Sequence, residues 1–154
     1  MEARLARSAA RLAAVQALYQ MEVAGADWQT VREEFETHRL GAEIEGALYR
    51  EADVSHFRDI LKGVVEDQAR IDQLTDRALV VKWPLGRIDA TLRALFRAAG
   101  YELTARPDIP PKATIGEYVD VAKAFFEEGK EAKFVNAVLD HMAREVRAEE
   151  MEPR

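Results

Sequence analysis

A chain of 154 residues with 48% hydrophobic content is long enough for one domain with a sizeable core. The absence of cysteine excludes a disulfide framework and thiolate chemistry; no apolar run approaches the ~20 residues of a membrane span, and Arg4, Arg7 and Arg11 interrupt any amino-terminal apolar segment, so a soluble, cytoplasmic protein is expected. A net charge of -6 excludes a uniformly basic nucleic-acid binder, but the charge is unevenly spread. Residues 1–26 carry three basic against two acidic side chains, 27–72 six against twelve, 73–113 seven against four and 114–154 six against ten. Two mildly basic segments thus alternate with acidic ones, which permits a small basic patch on a surface that otherwise repels polyanions.

The first helix is predicted from Ala3 to Val23. Leu5, Ala9, Leu12, Gln16, Tyr19 and Val23 recur at helical spacing, Val15 and Leu18 widen the stripe, and the alanines favour helix and close packing. Arg4, Arg7 and Arg11 form a stripe of their own, which reads either as a solvated helix face or as guanidiniums within reach of successive phosphates of one strand. Gly25 ends this helix, and Asp27 caps a short second one whose buried edge is Trp28, Val31 and Phe35. From His38 to Asp53 the pattern is interrupted by Gly41 and Gly46, and a mobile connection is expected. Ser55 is the expected cap of a third helix with Phe57, Ile60, Leu61 and Val64 on its face, continuing or kinking toward Ile71 and Leu74.

Residues 79–83, Leu-Val-Val-Lys-Trp, favour β structure but would lack a partner strand, so they are read as the end of a short helix that drops Trp83 onto the core before Pro84 opens the next element. The strongest helical pattern follows. Ile88, Leu92, Leu95, Phe96, Ala99 and Leu103 point inward, and Arg87, Asp89, Arg93, Arg97 and Arg106 outward, which marks a central helix. Arg93 and Arg97, one turn apart, read equally as surface stabilisers or as a partner surface.

Pro107, Pro110 and Pro111 close that element, and a helix is predicted from about Thr114, with Ile115, Val119, Ala122 and Phe126 inward and Gly129 at its end. An antiparallel partner follows, with Phe134, Val135, Val138, Met142 and Val146 on its face. Phe125 and Phe126 point about 100° apart on a helix, so Phe126 is the expected core residue and Phe125 the one nearer the surface. Lys123 beside Phe125, with Lys133, suits a single RNA strand, the ring stacking a base and the ammonium meeting a phosphate. Asn136 either satisfies a neighbouring helix end or contacts RNA.

Catalytic chemistry is not legible. Ser8 and Ser55 sit in no nucleophile elbow, and no glycine-rich phosphate loop occurs. His38, His56 and His141 show no metal-ligand spacing and read as surface or capping residues, while carboxylate pairs such as Glu117 with Asp120 arise by chance among 28 acidic residues. A protein that is not an enzyme, with no cofactor and no metal, is expected.

The order of a proline-rich lead-in, Ile115-x-Glu117, Val121-Ala122-Lys123, the pair Phe125 and Phe126, and Lys-Phe-Val-Asn-Ala-Val-Leu-Asp at 133–140 resembles the carboxy-terminal half of the NusB family of transcription antitermination factors. The opening Arg7-Ser8-Ala9-Ala10-Arg11 helix and the Leu95–Leu103 stretch resemble that family as well, so the resemblance spans nearly the whole chain; Ala137 stands where the family motif usually has glycine, and its methyl should slightly widen a helix contact. The resemblance implies an all-α fold of about seven helices, two small antiparallel bundles sharing one core, with residues 1–148 as the domain and 149–154 as a polar tail. It also implies binding of the boxA element of nascent ribosomal RNA together with ribosomal protein NusE, within an RNA polymerase elongation complex containing other Nus factors, and no role for DNA or membrane. The resemblance implies Arg7 and Arg11 as RNA contacts; with Gln16, Lys123, Phe125, Lys133 and Asn136 they make up the expected RNA site, and the two segments that carry it are expected to be adjacent in space. Two alternatives stay open: an RNA-binding domain related to ribosomal RNA cytosine methyltransferases, and a helical adaptor that binds only protein.

Overall fold

Seven helices and no strand form among the residues described by the computed structural model of the chain, namely 2–38, 53–79, 88–126 and 129–152. The all-α expectation therefore holds. The expectations for the connection after His38 and for Trp83 and Pro84 fall on residues 39–52 and 80–87, outside those described. The chain divides into two compact units, Met1–Glu66 and Asp67–Arg154, taken in turn.

In the first unit, α1 (Glu2–Ala24) packs with α2 (Trp28–His38), and α2 meets the first part of α3 (Val54–Ala78) through Phe35 and Phe57. The buried line of α1 is Ala10, Ala13, Ala14, Val15, Ala17 and Leu18, whereas Tyr19 and Val23 are 40% and 60% exposed and Leu12 and Gln16 half-buried. The packed face is thus rotated from the expected one. Alanines allow neighbouring helices to approach closely, so the small residues set the contact and the larger apolar ones are left at its margin. Gly25, with φ 71°, closes α1 as its N–H donates to the Met21 carbonyl at 3.0 Å. Asp27 caps α2 as expected, its carboxylate accepting from the Thr30 N–H at 2.9 Å and the Thr30 hydroxyl at 3.1 Å.

Val31 and Phe35 are buried, while Trp28 is half-buried with the Arg32 guanidinium 5.9 Å from its ring centroid. Asp53, not Ser55, caps α3: its carboxylate accepts from the His56 N–H at 2.9 Å, and a full charge suits the positive end of a helix better than a hydroxyl. The Asp53 N–H also donates to the Ala6 carbonyl at 3.0 Å, tying the start of α3 to the start of α1. Phe57, Ile60, Leu61 and Val64 are fully buried, and Phe57 stacks on Phe35 at 5.7 Å. His56 is buried rather than on the surface, because it precedes Ile60 by one helical turn and shares the packed face.

In the second unit, α3 continues past a kink at Asp67 (φ -123°, ψ 19°) and buries Ile71, Leu74 and Ala78. Asp89 is exposed as expected and is also the cap of α4 (Ala90–Ala105), accepting from the Thr91 N–H at 2.7 Å. Leu92, Leu95, Phe96, Ala99 and Leu103 are buried as expected, and α4 packs against both α5 (Pro111–Phe125) and α6 (Gly129–Val146). Gly100 explains the close approach. A Cβ there would lie 2.7 Å from Ile71 Cγ2 and 3.1 Å from Met142 Cε. Arg97 takes the stabilising one of its two readings, forming a fork with Asp72 at 3.0 Å on both nitrogens.

Helix α5 begins at Pro111, three residues before the predicted Thr114, because proline at the first helical position lacks only an N–H that no carbonyl would accept. Its buried face is Pro111, Thr114, Ile115, Tyr118, Val121 and Ala122, with Val119 and Phe126 half-buried instead of core. The helix turns that way because the Tyr118 hydroxyl donates to Glu102, a fully buried carboxylate on α4. Phe126, in extended conformation, ends α5, and Gly129 opens α6 instead of closing its predecessor.

On α6, Val135, Val138, Leu139 and Met142 are buried, Phe134 is half-buried and edge-on to Phe96 at 5.9 Å, and Val146 is 37% exposed. Ala137 is exposed, so its methyl widens no helix contact. Arg147 then reaches back to the carbonyls of Leu103, Arg106, Pro107 and Ile109 at 3.0–3.5 Å. It satisfies the frayed end of α4 and orders the turn into α5. A final turn, α7 (Ala148–Met151), buries Met151 where a polar tail was expected.

Gly116 stands in contrast to Gly100. It is exposed within α5, has no unusual φ, and a Cβ would meet nothing within 4 Å. Gly116→Ala is expected to raise stability by about 0.5–1 kcal/mol through backbone entropy and helix propensity, seen as a higher urea midpoint at unchanged slope.

Candidate nucleic-acid interface

Each unit carries part of the expected site. On α1, Arg7 is half-exposed and has no ion-pair partner among the described residues, and Gln16 is half-buried one and a half turns beyond Arg11. Arg11 corrects the expectation of an open cationic stripe. It is 4% exposed and engaged by the protein itself, because the packed line of Ala10, Ala14 and Val15 turns its side of the helix inward.

On the second unit, Lys123 is exposed in the last turn of α5 and Phe125 is half-buried two residues on. Phe126 is half-buried as well, so the expected division into one core ring and one surface ring does not occur; α5 has already ended there, and the extended backbone of Phe126 breaks the helical spacing on which that division rested. Lys133 and Asn136 are exposed one turn apart on α6, and the Asn136 amide meets no partner among the described residues, so the helix-end role has no support. Connectivity alone brings Lys123, Phe125 and Lys133 to one end of the α5–α6 pair.

The state of the other cations gives this arrangement its meaning. Arg58 forks onto Glu36 at 2.6 and 2.8 Å and holds that carboxyl below the usual glutamate range, with burial opposing. Arg77 does the same to Glu145, and Arg147 to Glu150. Arg32, Arg70, Arg97, Arg106 and Arg144 are each paired with a carboxylate, and Arg93 donates to the Ile88 carbonyl. Among arginines with described side chains, Arg7 is the one without a partner among the described residues. Lys62 reaches Glu66, whereas Lys112, Lys123, Lys130 and Lys133 have no such carboxylate among the described residues. Lys112 and Lys130 were not singled out in the sequence, because spacing does not reveal which cations the fold has already neutralised.

A cation without an ion-pair partner can meet a phosphate without first breaking a pair. Among the described residues there is no cluster of metal-ligating side chains and no helix long and apolar enough to cross a membrane. The sequence profile described as the NusB family matches residues 8–144. The chain belongs to the NusB family. It is 59% identical to the transcription antitermination protein NusB of Mesorhizobium japonicum over 143 residues, which span 93% of this chain and 92% of that one. The solved NusB of T. maritima superimposes with a TM-score of 0.74 at 32% identity, covering 96% of this chain and 97% of that one. A chain in a crystal structure of the antitermination factors NusB and NusE with double-stranded RNA gives 0.71 at 21% identity, over 90% and 96% of the two chains, a likeness that speaks for the fold. The NusB relatives bear the name of a transcription antitermination protein.

Proposed function

We propose that this NusB-family protein is an RNA-binding transcription antitermination factor that engages the boxA element of nascent ribosomal RNA together with ribosomal protein NusE, within an elongation complex of RNA polymerase and other Nus factors in the cytoplasm. The observation that carries the reading is where the cations without a carboxylate partner among the described residues stand. In a chain of net charge -6, Arg7 at the start of α1 and Lys123 and Lys133 at one end of the α5–α6 pair are among them, in the segments expected to meet RNA, while Lys112 stands apart at the start of α5. Arg11 contributes to the site by positioning α1, not as an open phosphate contact. The full-length match to antitermination proteins favours this reading over a methyltransferase-associated domain.

The test is a titration of a single-stranded boxA RNA by fluorescence anisotropy at several salt concentrations, with and without NusE. Three or four phosphate contacts correspond to a log–log salt slope of about 2–3. Arg7→Ala is expected to lower it by about 0.7, whereas Phe125→Ala should weaken binding through a lost stacking contact of about 1–3 kcal/mol with little change of slope. NusE should tighten binding without altering the preferred sequence. Affinity unchanged by NusE would remove the cooperative part of the proposal, and no RNA binding in either case would leave the protein-only adaptor.

A further inference from the structure

Pro107, Pro110 and Pro111 bring no N–H to the turn between α4 and α5, so that stretch is rich in acceptors and poor in donors. Within it the Ile109 N–H donates to the Arg106 carbonyl at 3.1 Å, and Pro110 precedes α5 without a side-chain cap. The missing donors come from 38–44 residues further along the chain, from the guanidinium of Arg147, whose side chain is 8% exposed. Arg147 is also the one residue between α6 and α7, where φ -135° and ψ 47° turn the backbone out of the helix. With four residues α7 is too short to hold a helix by itself, and its support is tertiary. Met151 is buried, its carbonyl accepts from Arg144 Nη1 at 3.2 Å, and Glu150 accepts from Arg147 Nε and Nη2 at 2.6 and 2.8 Å. One side chain therefore completes both the turn before α5 and the turn after α6.

We propose that the 106–110 turn and residues 144–151 form one clasp that opens and closes as a unit, and that this clasp sets whether the first turn of α5 is formed. Release of Arg147 leaves the carbonyls of Leu103, Arg106, Pro107 and Ile109 without its donors, and disorder of the turn removes the acceptors that hold the guanidinium beside α7. Each half is marginal without the other, which is the condition for one cooperative local opening. A partner that grips α7 is then felt at Pro111, and the reverse, because coupled equilibria are reciprocal. The Arg77 fork on Glu145 is a contrast, since it joins α3 to α6 through two side chains and no backbone carbonyl. The clasp is separate from the RNA reading: Pro111 lies at the opposite end of α5 from Lys123, about 18 Å along the helix.

Native-state hydrogen exchange read by NMR on the full chain is the test. The Ile109, Ala113 and Thr114 amides report the turn and the α5 start, and the Glu150 amide reports α7. Arg147→Ala is expected to speed exchange at all four by about tenfold or more, the factor equivalent to one charge-assisted hydrogen bond. Arg147→Lys keeps the charge without the fork and should fall between that variant and the parent. Met151→Ala is the decisive variant, since it removes an apolar side chain of α7 and no hydrogen bond of the turn; coupling requires it to speed Ile109 and Ala113 as much as Glu150. Arg77→Ala should leave all four unchanged. Faster exchange at Glu150 alone in Met151→Ala, or an unchanged Ile109 in Arg147→Ala, would overturn the proposal, because the turn and α7 would then open separately. A uniform rise through α4 and α6 in Met151→Ala would overturn it too, the opening then being that of the whole second unit. If Arg147→Ala does not fold, Met151→Ala decides by the same criteria.

Discussion

Phe35→Ala is expected to cost about 3–5 kcal/mol of stability, the largest effect of a single substitution in the first unit. The ring is fully buried, stacks on Phe57 with centroids 5.7 Å apart and planes at 26°, and sits one helical turn after the buried Val31. Removing it leaves a cavity between α2 and α3 and takes away an aromatic pair contributing about 0.5–1.5 kcal/mol beyond its area. The adjacent Glu36 is held by the Arg58 fork. Urea unfolding followed by circular dichroism measures the loss. A cost under about 1 kcal/mol would mean that α2 does not close over Phe57 as described, and the anchoring of α1 through this unit would need another explanation.

The fold was legible where periodicity and punctuation agree. Gly25 and Asp27 mark a helix end and a helix start by backbone chemistry that no tertiary contact overrides, and Phe57, Ile60, Leu61 and Val64 follow a spacing that only one helix face satisfies. Faces were misread where small or polar residues set the contact. The alanines of α1 outweighed Tyr19 and Val23, and Glu102 drew Tyr118 inward on α5; a carboxylate at helical spacing from Leu95 and Ala99 is the signal that could have located it. The site was half legible for a related reason. Sequence identifies a cation but not its partner, so Arg7 and Arg11 look equivalent on a helical wheel, while in the folded chain one is half-exposed and the other buried and engaged. The start of α6 was misplaced because Gly129 reads in sequence as a helix end.

On α5, substitutions at Tyr118 separate packing from polar satisfaction. Tyr118 is fully buried and its hydroxyl donates to the equally buried Glu102 carboxylate, which has further contacts within the fold. Tyr118→Phe keeps the ring and removes the donor, leaving Glu102 short of one hydrogen bond, at an expected cost of about 1–3 kcal/mol. Tyr118→Ala removes both and should cost about 3–5 kcal/mol, the excess over the phenylalanine variant reporting the cavity. Neither substitution removes a cation. Because Lys123 and Phe125 lie one to two turns further along the same helix, both variants should retain the salt slope of RNA binding at temperatures where they remain folded, even as their unfolding midpoints fall. A Tyr118→Phe variant as stable as the parent would show that the other contacts of Glu102 suffice, and that ring packing alone holds α5 against α4. A lowered salt slope in that variant would instead tie the hydrogen bond to the placement of Lys123, since the only path from a buried hydroxyl to a phosphate contact is the position of the helix between them.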